Sequence, residues 1–162
     1  LSHNFREHLK EIPIHPLKII NENISRTKKT QKYLFQLSSG KLIESVLMKE
    51  GKRVTACLST QVGCAVECGF CATAKMGFIQ NLTSGEILDQ YLHLQKISEY
   101  KITNIVFMGM GEPFLNYDNT IESANLLHHP KGINSRLSIS LLSRIPPHQG
   151  ARALFIFQSE RR

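Results

Sequence analysis

The sequence predicts an α/β protein in which a small antiparallel β extension leads into repeated βα units around a parallel sheet. Three observations predict it. Short strand-like runs at 33–37, 42–48 and 53–59 are separated by Gly-containing turns, as in a meander. Beyond them, runs of helical period alternate with short apolar runs, the order of βα units. Between the two regions stand Cys64, Cys68 and Cys71 at C-x3-C-x2-C spacing, and Cys57 is the one other cysteine of the chain.

Residues 4–11 predict a short helix, with Phe5 and Leu9 one turn apart and Pro13 and Pro16 ending it. Residues 17–31 are polar and basic, with Arg26, Lys28 and Lys29 close together. They predict a solvated linker or, more sharply, an arm that contacts phosphate. Ser39-Gly40 and Gly51-Lys52 supply the turns of the meander. Glu44 is a carboxylate within an otherwise apolar strand, either on a wet face or aimed into a site. Thr83 and Glu86 form a T-x-x-E capping box. It opens a helix whose stripe is Ile87, Leu88, Tyr91, Leu92 and Gln95. Residues 103–108 read as a parallel strand buried on both faces and run into Gly109-Met110-Gly111-Glu112-Pro113. Another helix is expected at 117–127, with Ile121, Ala124 and Leu127 inward, and a further strand at 137–141. Residues 143–150 break the pattern, and 153–157 read as a strand without an assigned place.

The 162 residues suit one domain or the larger part of one. An apolar content of 41% is enough for a core. The net charge of +7 favours a polyanionic partner, usually nucleic acid; a basic surface without a ligand is the ordinary alternative. No apolar run is long enough to span a membrane, and no secretory leader is evident. Four clustered cysteines in such a chain point to metal or redox chemistry in a reducing cytosol. The chain begins at Leu1 and ends at Arg161-Arg162, and is read as a piece of a longer polypeptide.

A loop as tight as 64–71 can aim three sulfurs at one centre. Three thiolates leave one iron of a four-iron cluster without a protein ligand, and a small molecule can bind and react there. A structural zinc site calls for a fourth protein donor. No cysteine follows Cys71, and the next histidine, His93, falls within the helix that Thr83 opens. Zinc held by three sulfurs and an outside ligand stays open as an alternative. Gly109 and Gly111 would expose backbone to a ligand lying over the C-terminal edge of the sheet. Glu112 could accept hydrogen bonds from an ammonium group there. Taken alone, G-x-G-E-P is an ordinary loop.

The chain resembles the radical S-adenosylmethionine (SAM) superfamily and, more narrowly, the RNA adenine-C2 methyltransferases of 23S rRNA and tRNA. The matching residues are Cys57-Leu58-Ser59-Thr60-Gln61-Val62-Gly63-Cys64-Ala65, Cys68, Phe70-Cys71-Ala72-Thr73, Gly77-Phe78, Asn81-Leu82-Thr83 and the whole of 102–113. The resemblance covers about residues 30–140. It implies a partial (β/α)6 radical SAM barrel, C-terminally truncated, behind the β extension. The division expected is 1–30 as remnant of an accessory region and linker, 31–60 as β extension, 61–142 as incomplete core and 143–162 as divergent tail. It implies a [4Fe–4S] cluster on Cys64, Cys68 and Cys71, and SAM held by Gly111, Glu112 and Ser140. At Ser140 the family's Ser-Thr-Ser-Gly is replaced by Ser140-Leu141-Leu142-Ser143. It implies two SAM molecules, one methylating a cysteine near the C-terminus and one cleaved to a radical that activates that methyl group for addition to C2. Cys57 matches the cysteine that resolves the RNA–protein adduct, and Glu44 the base that removes the C2 proton. The implied partners are 23S rRNA and tRNA and an electron donor such as flavodoxin, in the cytoplasm and with no membrane. The methyl-carrying cysteine has no counterpart after Cys71, so these residues alone are not expected to complete methyl transfer. The sister activity at C8 of the same adenine, and a non-catalytic metal-binding remnant, are the alternatives.

Overall fold

The computed structural model describes residues 16–66, 68–129, 133, 137–142 and 154–157. The helix expected at 4–11 and most of the tail from 143 lie outside the described residues. The fold is α/β, with a seven-stranded mixed sheet in the order β1-β2-β3-β4-β7-β8-β9. The strands are β1 (Lys18–Ile24), β2 (Thr30–Gln36), β3 (Leu42–Glu50), β4 (Arg53–Cys57), β7 (Asn104–Phe107), β8 (Ser138–Leu142) and β9 (Leu154–Phe157). A separate two-stranded sheet pairs β5 (Gln61–Gly63) with β6 (Phe78–Asn81). The helices are α1 (Ser84–Ile97) and α2 (Tyr117–His128).

Strands β2 to β4 form the expected antiparallel meander, β1 adds a fourth antiparallel strand to it, and β4, β7 and β8 are mutually parallel. Helices α1 and α2 supply the two crossovers. The 153–157 run finds its place as β9, antiparallel to β8. The stretch expected as a linker instead begins with β1, which pairs with β2 through a bulge between Ile19 and Asn21. All seven of its side chains are exposed. It forms because β2 offers a backbone edge, and with no face to bury it carries no two-residue apolar period.

Register sets the two faces. Val46 lies opposite Cys57, Cys57 opposite Val106, and Val106 opposite Ser140, so one row crosses four strands. The alternate residues, among them Phe35, Ile43, Leu47, Ala56, Ile105, Phe107 and Ile139, form a core with Ile87, Tyr91 and Leu94 of α1 and Ala124 and Leu127 of α2. The face bearing Asn104, Val106 and Ser140 stays half-buried. Strand β7 is therefore not buried on both faces as its apolar run suggested, because both helices pack on one side only. Among the described residues no helix is long and apolar enough to cross a membrane.

The capping box of α1 is present: the Glu86 amide donates to Thr83 Oγ1 at 3.2 Å and the Thr83 amide to Glu86 Oε2 at 2.9 Å. The buried stripe is Ile87, Asp89, Gln90, Tyr91 and Leu94, whereas Leu88 and Leu92 are only partly buried. Gln95 receives the Ile102 amide at 2.9 Å. Asp89 accepts the Leu17 amide at 3.0 Å, which ties the chain's entry into the sheet to this helix. Gln90 Oε1 accepts from the Ser45 hydroxyl (2.7 Å) and the Ser59 amide (2.9 Å), and its Nε2 donates to the Ser59 carbonyl (3.0 Å). Gln90→Leu keeps the volume but strands those groups in the core. It is expected to cost on the order of 3 kcal/mol, read as a lower urea midpoint with an unchanged slope. An unchanged midpoint would mean that the stranded groups find other partners.

Candidate metal and cofactor site

The three clustered cysteines sit in the loop of a hairpin. Gln61 pairs with Asn81, Val62 with Gln80 and Gly63 with Phe78. The loop between closes where the Cys64 amide donates to the Gly77 carbonyl at 3.0 Å. Gly63 has φ +73°, and a Cβ there would lie 1.8 Å from that carbonyl oxygen. Only glycine gives both the left-handed backbone and the room. Further along, the Cys71 amide donates to the Cys68 carbonyl at 3.0 Å, and a 3₁₀ turn at Ala74–Met76 returns the chain to β6.

The root of this hairpin is fastened to the main sheet. The Thr60 amide donates to Met110 O at 2.8 Å, and the Leu82 amide to Thr60 O at 3.0 Å. Asn116 Nδ2 donates to both Thr60 O and Leu82 O at 2.7 Å. Asn116 stands in the N-cap position of α2 but makes no capping bond with its side chain; its amide goes to the hairpin instead.

The turn after β7 packs against the segment between β4 and β5. A Cβ on Gly109 would lie 2.7 Å from Ser59 Oγ, and one on Gly111 (φ +96°) 2.5 Å from Gln61 Cβ. The amides of Gly109, Met110 and Glu112 donate to Leu58 O (3.1 Å), Ser59 Oγ (2.8 Å) and Gln61 Oε1 (2.9 Å). The glycine pair was expected to expose backbone groups to a ligand over the sheet edge. These three donors are used within the chain, and the glycines permit the close approach that brings Glu112 to its place.

Hairpin loop and turn enclose a cavity of about 340 Å³ at the C-terminal end of β7, lined by Cys64, Cys68, Cys71, Met108, Gly111 and Glu112, among others. Cys64 is buried and the other two are half-buried. Glu112 is 3% exposed, and one carboxylate oxygen accepts the Phe114 amide at 3.2 Å. Burial pushes the Cys64 thiol up; the Val66 amide partly offsets this, and the charges of Glu112, Cys68 and Cys71 add to it. A cavity walled by three thiols and a carboxylate favours a cationic occupant, which would let the thiols ionise. No fourth thiol or imidazole is among the residues that line it. The sulfurs share a wall without converging: among the described residues no three His, Cys, Asp or Glu side chains are gathered tightly enough to hold a metal ion. The donor set itself, three soft thiols and no fourth, fits an iron–sulfur cluster with one corner left open.

Cys57, Glu44 and Ser140 do not line this cavity. They share the half-open face of the sheet. Cys57 and Ser140 flank Val106 in one row, and Glu44 is two residues from Val46, the cross-strand partner of Cys57. Such diagonal neighbours lie roughly 7–8 Å apart. Burial pushes the Cys57 thiol up, partly offset by the Met108 amide. The Glu44 carboxylate is 42% exposed and pairs with Lys32 at 2.9 Å, so the described residues leave it wet rather than dry. Sequence reasoning missed the roles of Gln90, Asn116 and Gln61, each of which has partners distant in the chain.

In three dimensions the chain matches the crystal structure of a radical SAM methyltransferase from Sphaerobacter thermophilus, with a TM-score of 0.77 and 40% identity over 86% of this chain and 43% of that one. Fold and cysteine hairpin are thus similar to those of a radical SAM methyltransferase. In sequence, the chain is 51% identical over 132 residues to a probable dual-specificity RNA methyltransferase RlmN of Thermotoga maritima, covering 81% of this chain and 38% of that one. It is 46% identical over 144 residues to the protein of the same name from Fervidobacterium nodosum, covering 86% and 41%. The chain is thus a relative of the dual-specificity RNA methyltransferases and spans about two fifths of the length of the curated relatives it matches. No family model matches it.

Proposed function

We propose that this chain is the cluster- and SAM-holding part of a methyltransferase that acts on C2 of adenosine in 23S rRNA and tRNA. One observation carries the reading: three thiols wall a single cavity beside a buried carboxylate, with no fourth thiol or imidazole among its lining residues. Cys64, Cys68 and Cys71 would hold three corners of a [4Fe–4S] cluster. When bound and reduced by a donor such as flavodoxin, the cluster supplies the electron that splits SAM. Glu112, fixed by the Phe114 amide, offers an acceptor for the ammonium group of SAM. Gly111 sets that carboxylate against the cavity, and Ser140 places a hydroxyl on the adjoining sheet face. We read the one-sided covering of the sheet as the wall of a (β/α)6-type barrel whose inner face carries the RNA chemistry. Cys57, its thiol pushed up by burial, would act there as the thiol that resolves the adduct, and Glu44 as the base for the C2 proton.

The test needs only the half-reaction these residues would carry. Reconstituted anaerobically with iron and sulfide, the chain is expected to bind both in equal amounts. With dithionite and SAM it is expected to release 5′-deoxyadenosine. A protein that takes up zinc and no iron, or that holds iron and leaves SAM intact, would sink the reading.

A further inference from the structure

We propose that the end of the sheet opposite the cysteine cavity is a contact surface for the phosphate backbone of a folded RNA. Residues 26–53 hold eight basic and two acidic side chains, most of the chain's net charge of +7. The fold gathers six of the eight at one end. Arg26, Lys28 and Lys29 lie in or beside the β1–β2 turn, and Lys49, Lys52 and Arg53 in or beside the β3–β4 turn. The Lys49 amide donates to Lys29 O at 2.8 Å and locks the two turns together. Lys28 holds φ +56°, a shape that fixes the first turn. Five of the six are exposed and Lys49 is half-buried. Among the described residues none of the six is ion-paired with a carboxylate. Glu50 also lies at this end, opposite Arg53, but basic groups outnumber acidic ones there, and such a local excess is the footprint of a polyanion site.

The surface is also shaped. A groove of about 710 Å³ runs beside the turns, lined by Lys28, Lys29, Lys49 and Tyr100 and also by Glu22 and Glu99. Lys49 Nζ lies 3.3 Å above the centre of the Tyr100 ring, and that ring is 50% exposed. An ammonium held over an aromatic plane is a positioned cation, suited to a phosphate beside it. The five residues of β4 separate this end from the cavity end, which at about 3.3 Å per residue is on the order of 15–20 Å. Phosphates bound here would belong to a stem, while the reacting base sits at the far end of the strands. The inference rests on RNA being the substrate, as proposed above.

The test is the salt dependence of binding to a labelled RNA hairpin. Combining Lys28→Glu, Lys49→Glu and Lys52→Glu is expected to flatten the slope of log affinity against log salt by about 2–3 and to weaken binding at least about tenfold at low salt. Lys41→Glu, at the β2–β3 turn on the other end, is expected to change the slope by no more than about 1. Iron uptake and release of 5′-deoxyadenosine are read on the same variants and are expected unchanged, so loss of the cluster reading would be seen separately. An unaltered slope in the triple variant, or an equal loss from Lys41→Glu, would overturn the proposal.

Discussion

Replacing any one of Cys64, Cys68 and Cys71 with alanine is expected to remove the iron and to reduce 5′-deoxyadenosine release to background. Each thiol lines the same cavity, and with only three donors a cluster held there would have no spare protein ligand. Changing partners outside the ligand set typically costs 10–100-fold in metal affinity, so loss of a ligand should exceed about 100-fold. The urea midpoint should move little for Cys68→Ala and Cys71→Ala, whose side chains are only half-buried, and somewhat more for Cys64→Ala, whose side chain is buried. Cys57→Ala is the control. Its thiol lies on the sheet face outside the cavity, so iron uptake and SAM cleavage should survive. If Cys57→Ala loses iron while Cys68→Ala retains it, the assignment of ligands is wrong.

Gly63→Ala is expected to have the largest effect of any methyl addition. The residue needs φ +73°, and the new carbon would lie 1.8 Å from the Gly77 oxygen. Left-handed backbone costs about 1–2 kcal/mol for an L-residue, and a buried overlap adds roughly 1–3 kcal/mol. Together these are on the order of 3 kcal/mol, concentrated where the cysteine loop closes. Limited proteolysis between Cys64 and Gly77 should accelerate, and iron uptake should fall. Gly40→Ala provides the comparison: it has a similar φ of +78° but nothing within 4 Å of the added carbon. It should cost only the backbone strain and leave the loop intact. Equal proteolysis of the two variants would refute the steric account.

What the sequence revealed was local in its causes. The capping box of α1 needs only Thr83 and Glu86, and the meander needs only alternation and glycine turns. The cysteine spacing announces its own chemistry. Hidden were features that depend on distant partners. A three-residue strand such as β5 is too short to show a period, and it pairs with β6 across fourteen residues of loop. Gln90 and Asn116 look like surface residues until Ser45, Ser59, Thr60 and Leu82 are brought to them. The apolar run of β7 overstated its burial, because sequence reports what a strand can tolerate and not which neighbours arrive. The glycine pair has a packing role that its sequence did not announce, since its missing side chains make room for Ser59 and Gln61.

Asn116 spends both of its amide hydrogens on two carbonyls, one from each strand stem of the hairpin. A nitrogen so saturated has nothing left to trade with water, and its oxygen is taken by Asn119. The joint therefore behaves as a rivet and not as a hinge. Whatever opening or shutting takes place above the cavity has to bend the arch itself, while its footings stay bolted to the sheet and to the start of α2.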